Sequence, residues 1–431
     1  MRLNFSYTYT RLIKKPSYLI IGALACLLLM ASTIKIIYLT KTYGGGELKR
    51  RIVGARLLHT NKQPYHYNWC IDSNGIEQHF VANGDQPKNL NGLSVPPSVL
   101  YFLKPLSKLP YNYIRVIWNL LQVLAFFGTI ILILKAFTLA FKQQLIVLAA
   151  ALIFYISTTW HVNIERGQIY IFYAFIFALL NYWYVKNTLW SNIGFGILLA
   201  TATWLRPFYG VIFINLIFCN KKVAIVTTLI TGLILLGITF LHWPIWLQYF
   251  KAMQMYITYN ATEGDAAKYA FKGIAEGLTN YDMTKADWAA GGITPLGYTL
   301  FNQYHLLIPT YIYYLLVVLI TIGISFYFKN IKPYNFMLLG FLCYLIFELI
   351  MPAQRGSYNV IIWLMPILSL FATQKQSNLN IFLLLIGFAF IQGWPFYFPV
   401  LSSLGEIILI GVLLYNLKQG ATLINKLPVK N

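Results

Sequence analysis

Long apolar segments recur from one end of the chain to the other, separated by short polar turns and by two longer polar segments. A helix of about 20 apolar residues crosses the hydrocarbon core of a bilayer while satisfying its own backbone hydrogen bonds. The pattern therefore predicts about twelve transmembrane helices, with a range of eleven to thirteen because several segments are short. Their approximate limits are 17–39, 111–135, 143–159, 168–185, 190–205, 207–219, 223–242, 304–328, 335–351, 358–373, 379–396 and 401–417. The predicted fold class is an all-α polytopic membrane protein with a single integral-membrane domain over residues 1–431.

The short loops between these helices carry lysines and neither Asp nor Glu. The lysines are Lys135, Lys142, Lys186, Lys221, Lys222, Lys329, Lys332 and Lys375. Short cytoplasmic loops of membrane proteins are enriched in Lys and Arg, so the pattern places these loops inside. Both termini then face the cytoplasm, and two long segments, at about 40–110 and 243–303, face outward. The expected location is the plasma membrane, crossed many times.

The composition agrees with a membrane protein, since 58% of the residues are hydrophobic and only 10% are charged. Soluble domains carry about 25% charged residues. The net charge of +21 fits the orientation rule and anionic lipid headgroups. It does not indicate a nucleic-acid partner, because no basic module is separable from the predicted spans.

All twelve Asp and Glu residues lie at the outer face on this topology. Packing in lipid needs no carboxylates, so acids gathered on one face indicate a polar reaction site or a substrate pathway there.

The first outer segment opens with an amphipathic pattern. Leu48, Ile52, Ala55 and Leu58 share one face of a helix that begins at about Glu47. This predicts an interfacial helix whose acid is favoured by the helix dipole, and whose basic residues contact phosphate of a substrate or of lipid headgroups. The substrate-binding candidates on this helix are Lys49, Arg51 and Arg56.

The rest of this segment predicts little regular structure. Residues 60–65 predict a turn, and the polar stretch that follows as far as Asn91 contains two Asn-Gly steps, which are typical of turns, and predicts a surface loop. Residues 100–109 are apolar but too short to cross the membrane.

Polar side chains also gather at three outer mouths of the predicted bundle. These are Glu165, Arg166 and Gln168 between the third and fourth spans, Arg206 between the fifth and sixth, and Arg355, Tyr358 and Asn359 between the ninth and tenth. Guanidinium groups bind phosphate bidentately, so Arg166, Arg206 and Arg355 are candidate phosphate ligands. Alternatively, Glu165 and Arg166 form a structural pair, and each other arginine reaches a lipid headgroup. No metal or cofactor is expected, because the six histidines do not stand at metal-ligand spacings.

In this order, these segments resemble glycosyltransferase family 87, the domain-of-unknown-function 2029 proteins, which are integral-membrane enzymes of the C superfamily. In such proteins the first outer segment opens with an acid and Leu or Phe, then a small residue, Arg and Leu, and a Pro-Tyr step. Glu47-Leu48, Gly54 to Leu58 and Pro64-Tyr65 fit this outline. The other matching features are Pro96-Pro97 before Lys104-Pro105-Leu106, Trp118, Glu165 to Gln168, Arg206-Pro207 and Arg355 with Tyr358-Asn359. The family usually has Asp where this chain has Glu47.

The resemblance implies a membrane glycosyltransferase C-type fold and a sugar donor linked to polyprenyl phosphate, carrying a hexose such as mannose, or a pentose. It implies transfer to a hydroxyl of a glycan or glycolipid of the cell envelope, with inversion at the anomeric carbon, on the outer face. Glu47 would be the general base, and Arg166, Arg206 and Arg355 would stabilise the leaving phosphate.

Two other functions remain compatible with the residues. A ligase or polymerase acting on polyprenyl-diphosphate-linked polysaccharide would also require outer arginines. A lipid or sugar transporter would place acids and arginines along a path to the inner side, whereas the inner halves of the predicted spans carry no acid.

Overall fold

The computed structural model describes residues 16–42, 45–65, 67–71, 77–81, 95–137, 139–262, 308–352, 355–373, 378–392 and 399–422, with a few positions between 293 and 306. Its helices are α1 (Pro16–Thr42), α2 (Gly46–His59), α3 (Pro97–Leu103), α4 (Tyr111–Ala136), α5 (Phe141–Ile156), α6 (Thr158–Arg166), α7 (Tyr170–Lys186), α8 (Leu189–Leu205), α9 (Gly210–Phe218), α10 (Lys222–Leu241), α11 (Trp243–Thr262), α12 (Thr310–Tyr327), α13 (Phe336–Ile350), α14 (Leu364–Ala372), α15 (Asn378–Ile391) and α16 (Pro399–Thr422). Short 3-10 helices lie at Leu106–Lys108, Pro207–Tyr209, Pro333–Asn335 and Ser357–Trp363. Two strands, β1 (Tyr67–Ile71) and β2 (Glu77–Val81), pair antiparallel.

Six helices among the described residues are long and apolar enough to cross a membrane, and they lie in α1, α4, α10, α12, α13 and α16. Together α5 and α6 pass the same test, although they meet at 52°, and would make a seventh span. This confirms a polytopic helical membrane protein. Shorter apolar helices, including α8, α9, α14 and α15, occupy other predicted segments. The count of twelve spans therefore stays a prediction.

Helix α13 lies at the centre of the bundle, with 78% of its apolar window buried inside the protein. In α1, α10 and α12, by contrast, only 11%, 17% and 22% of the corresponding window is buried. A helix that is apolar all round must be covered either by protein or by lipid. The peripheral helices thus present the surface expected to contact the bilayer.

The first outer segment builds a smaller core beside the bundle. The predicted apolar face of α2, formed by Leu48, Ile52, Ala55 and Leu58, is buried against α3 and the start of α4. This face packs against protein, and a position of α2 at the membrane surface stays a prediction. The hairpin of β1 and β2 lies within the stretch that we expected to be a surface loop, so that prediction is corrected for these two strands.

Helices α5 and α6 are joined by a bend at Ser157. The Ser157 hydroxyl accepts a hydrogen bond from the Trp160 N–H at 3.2 Å and so caps the start of α6. The polar stretch that follows, expected from its sequence to join two spans, is helical as far as Arg166.

Helix α6 ends in a Schellman motif. The Gln168 N–H donates to the Asn163 carbonyl at 2.9 Å and the Gly167 N–H donates to the Ile164 carbonyl at 3.1 Å. Gly167 has a φ of +66°, a conformation that favours glycine. The resulting reversal, residues 165–168, is called the 165–168 turn below, and it lies against the start of α2.

Candidate functional site

Glu47 lies in the first turn of α2, and the helix begins directly after a left-handed residue, Gly45, with a φ of +63°. The Gly45 carbonyl accepts a hydrogen bond from the Tyr111 hydroxyl of α4 at 3.2 Å. One oxygen of the Glu47 carboxylate lies 3.1 Å from Arg50 Nη1, and the other lies 3.9 Å from Arg51 Nη2. Two cations therefore hold this carboxylate. The Glu47 side chain is nevertheless 24% exposed, so the carboxylate remains accessible.

Arg51 connects α2 to the 165–168 turn. Its Nη1 donates to the Gly167 carbonyl at 3.0 Å, and its Nη2 donates to Gln168 Oε1 at 3.1 Å. Both Arg51 and Gln168 are buried. Two groups of predicted site residues, far apart in the sequence, are therefore brought together around Glu47.

Lys49 and Arg56, the other predicted phosphate ligands of α2, also have contacts within the protein. Arg56 donates from Nε to the Ser107 carbonyl and from Nη2 to the Leu109 carbonyl, each at 3.1 Å. The Lys49 ammonium lies 5.1 Å from the centre of the Tyr111 ring, within cation–π range. A role of either side chain in substrate binding stays a prediction.

Arg115 of α4 is a site residue that the sequence reasoning missed. Its Nη2 donates to the Glu165 carbonyl at 2.9 Å, and the side chain is buried. Its guanidinium fills the space beside two left-handed glycines. A Cβ on Gly45 would meet Arg115 Nη1 at 2.5 Å, and a Cβ on Gly167 would meet the same atom at 3.0 Å. Its position on the buried face of α4 was the signal available in the sequence, since a cation there requires partners.

Arg206 follows α8 and forms a close ion pair with Glu348 of α13. The Tyr344 hydroxyl donates to the same carboxylate at 2.9 Å. Four aromatic rings surround the guanidinium carbon of Arg206 at 4.7 to 5.6 Å, and they belong to Tyr170, Tyr173, Phe208 and Tyr344. The Arg206 side chain remains 18% exposed.

Arg355 forms a bidentate pair with Glu406 of α16, with Nη–Oε distances of 2.7 and 2.8 Å. The Glu406 carboxylate also accepts hydrogen bonds from Trp363 Nε1 at 2.9 Å and from the Ile293 N–H at 2.7 Å. Arg355 Nε lies 3.4 Å from Glu348, so two arginines and two glutamates form one connected group. We call Arg206, Glu348, Arg355 and Glu406 the four-charge cluster. Sequence reasoning did not identify the two glutamates as partners of these arginines.

A row of neighbouring aromatic and arginine side chains joins this cluster to the turn beside Glu47. The Arg166 guanidinium lies 5.8 Å from the Tyr358 ring centre, the Tyr358 and Tyr170 rings are 5.3 Å apart, and Arg206 lies over Tyr170. The three predicted outer mouths therefore meet on one side of the molecule.

Asn359 is buried next to this row. Its N–H donates to the Gly356 carbonyl at 2.9 Å. Its Oδ1 accepts no hydrogen bond from any residue that the structure describes. A role of Asn359 in substrate binding stays a prediction.

Tyr65, of the predicted Pro-Tyr step, closes the other end of the outer segment. Its hydroxyl donates to the Val95 carbonyl at 3.1 Å, and its ring lies 5.6 Å from that of Tyr249 in α11. Burial raises the pKa of Tyr65 well above its ordinary value, so the hydroxyl stays a neutral donor. Tyr65 thus has a structural role in linking α2, α3 and α11.

Comparison with known proteins adds one finding to this geometry. The sequence model of glycosyltransferase family 87 matches residues 95–352, more than half of the chain. The matched region contains the 165–168 turn and Arg206, begins after Glu47 and ends before Arg355. No curated protein matches the sequence.

Proposed function

The chain belongs to glycosyltransferase family 87 and is a membrane glycosyltransferase, and from this premise we propose that it uses a polyprenyl-phosphate-linked sugar. The sugar is a hexose such as mannose, or a pentose. The acceptor is a hydroxyl of a glycan or glycolipid, and the reaction takes place on the outer face of the plasma membrane.

The observation that carries this proposal is the placement of Glu47. Glu47 lies in the first turn of α2, a helix that contacts α3, α4 and the 165–168 turn. Its carboxylate is partly exposed and faces cations of the same helix. A carboxylate in this setting can serve as the proton acceptor for the hydroxyl of the acceptor, which must lose its proton as it attacks.

The reaction then exchanges one bond at the anomeric carbon for another. The acceptor oxygen bonds to that carbon, its proton passes to Glu47, and the bond from the carbon to the phosphate oxygen breaks with both electrons leaving on the phosphate. Attack from the side opposite the phosphate inverts the anomeric centre.

Cations near Glu47 would stabilise the departing phosphate. Arg166 and Arg206 are the candidates that the geometry favours, because both are partly exposed and are joined by the row of rings at Tyr358 and Tyr170. Both Arg206 and Arg355 are paired with a glutamate, but the Arg355 side chain is only 3% exposed against 18% for Arg206, so we assign Arg355 the role of holding the cluster.

A lipid-linked donor also fits the surroundings of the site. The prenyl chain would remain in the hydrocarbon beside the exposed apolar faces of peripheral helices such as α1 and α12. Its phosphate would reach the level at which the predicted outer mouths lie.

The experiment supplies the purified protein in lipid nanodiscs with labelled donors and an extract of cell-envelope glycolipids. We expect label to pass from a polyprenyl-phosphate monosaccharide to a glycolipid, and no transfer from a nucleotide sugar. Transfer only from a polyprenyl-diphosphate polysaccharide would replace the proposal with ligase or polymerase chemistry. Movement of unaltered lipid across liposomes without transfer would indicate a transporter.

A further inference from the structure

Two buried arginines, one from α2 and one from α4, form hydrogen bonds with the 165–168 turn. Arg51 reaches it from α2 and bonds to the Gly167 carbonyl and to Gln168, while Arg115 reaches it from α4 and bonds to the Glu165 carbonyl. Arg51 is 5% exposed and Arg115 is 3% exposed. Guanidinium groups so deeply covered are poorly placed to meet a substrate, and the hydrogen bonds described above go to two backbone carbonyls and to the Gln168 side chain.

The same two arginines also fix the start of α2, where Glu47 lies. Arg115 packs against Gly45, whose carbonyl accepts the Lys49 N–H at 2.9 Å, and a Cβ on Gly45 would leave no room for the guanidinium. On the other side of Glu47, a Cβ on Gly167 would come within 2.6 Å of the Leu48 Cβ. The backbone on both sides of Glu47 is therefore in close contact with other elements.

Arg51 acts one turn further along the helix. Its Nη2 lies 3.9 Å from the Glu47 carboxylate and also donates to Gln168. The carboxylate thus has a buried cation on the side facing the turn and Arg50 on the side facing solvent.

We propose that Arg115 and Arg51 are positioning residues, which hold the Glu47 carboxylate in its reacting position by locking the start of α2 to the 165–168 turn. The inference rests on the proposed role of Glu47 as general base. It differs from the sequence prediction for Arg51, which placed that side chain on the substrate phosphate.

The chemistry of the side chain explains why arginine suits residue 115 better than lysine would. A guanidinium is planar and directs several donors at once, whereas a lysine ammonium is a compact point charge on a flexible stem. A lysine would keep the charge and lose the flat surface that packs between Gly45 and Gly167.

The test uses Arg115→Met in nanodiscs, with steady-state transfer and amide hydrogen exchange as two separate measurements. A displacement of about 1 Å in a reacting group costs about 100-fold in rate, so kcat should fall by about that factor while KM stays within about threefold. Exchange at residues 46–52 should become faster, whereas exchange in α13 should not change. Arg115→Lys should restore only part of the rate.

Lys135→Met is the matched control, since it removes an exposed cation from the inner end of the same helix. It should alter neither measurement. Gly167→Ala crowds the contact between Arg115 and the 165–168 turn without removing a charge. If Arg115→Met fails to fold, Gly167→Ala takes its place, and the same fall in kcat and the same faster exchange at residues 46–52 are expected.

An increase in KM at unchanged kcat would show that Arg115 binds the donor directly and would overturn the proposal. Unchanged exchange at residues 46–52 would overturn it as well. Hydrogen exchange needs no enzymatic turnover. If the proposed donor is wrong, the wild-type protein will show no transfer from it, and hydrogen exchange will still test the role of Arg115.

Discussion

At the scale of single residues, the four-charge cluster joins parts of the chain that are far apart in sequence. Glu406 accepts from Arg355, Trp363 and the Ile293 backbone, and its side chain is fully buried. Removing one partner of a buried ion pair leaves the other charge unpaired, which is far more costly than replacing both by apolar groups.

Glu406→Gln should therefore destabilise the protein by at most about 3 to 5 kcal/mol, the cost of breaking a buried pair, because Arg355 keeps only its 3.4 Å contact with Glu348. The free energy of unfolding measured by reversible denaturation in mixed micelles would show this. The double variant Glu406→Gln with Arg355→Met should recover much of the loss. A single variant as stable as the wild type would mean that the pair does not form in the membrane.

The sequence alone can identify site residues that stand out locally, but it cannot identify those that are recognised only by their tertiary contacts. Glu47 and the outer arginines stood out because charges are rare in apolar segments and gather on one predicted face. The pairings of Arg206 with Glu348 and of Arg355 with Glu406 join residues of separate helices, and no local pattern contains them. Arg115 was missed for the same reason, since its partners lie at Glu165 and beside two glycines.

At the scale of helices and strands, periodicity predicted the face of α2 but not what covers it. The spacing of Leu48, Ile52, Ala55 and Leu58 would suit either a membrane surface or a groove in the protein. The contacts with α3 and α4 show that this face packs against protein. The sequence likewise indicated a polar stretch after α5, yet its helical continuation depends on the cap at Ser157 and the Schellman motif at Gly167.

The orientation of these elements across the membrane can be tested with single cysteines in a chain freed of its native ones. Lys62→Cys lies just after α2 and should react with an impermeant maleimide in intact cells. Lys186→Cys, at the end of α7, should react only after the cells are opened. Both positions are exposed in the protein, so access from the solvent is the quantity compared. Labelling of both from the same side would contradict the predicted topology.

At the scale of the whole molecule, hydropathy predicted the class of protein better than the number of spans. Six helices in the described part of the chain meet the length and hydropathy requirements alone, and others are short or bent, as α5 and α6 are at 52°. Polar side chains meet at the ends of several of the shorter helices, and in a membrane this is tolerated only if they are buried in protein or line a cavity. The site that we propose lies among those shorter elements.

The family match and the contacts in the structure cover different parts of the proposed site. The family match covers the 165–168 turn and Arg206 but not Glu47. The contacts of Arg51 and Arg115 connect α2 to the matched region, so the proposed base is joined to it by structure.

The most direct test of the proposed mechanism is the rate of sugar transfer from a polyprenyl-phosphate donor by Glu47→Gln, compared with Glu47→Asp and the wild type. Glu47→Gln keeps the size of the side chain and removes the proton acceptor, so the rate should fall roughly 100- to 10,000-fold. Glu47→Asp keeps a carboxylate and should retain measurable transfer, and both variants should insert and unfold like the wild type. Transfer by Glu47→Gln at the wild-type rate would contradict the assignment of Glu47 as the general base.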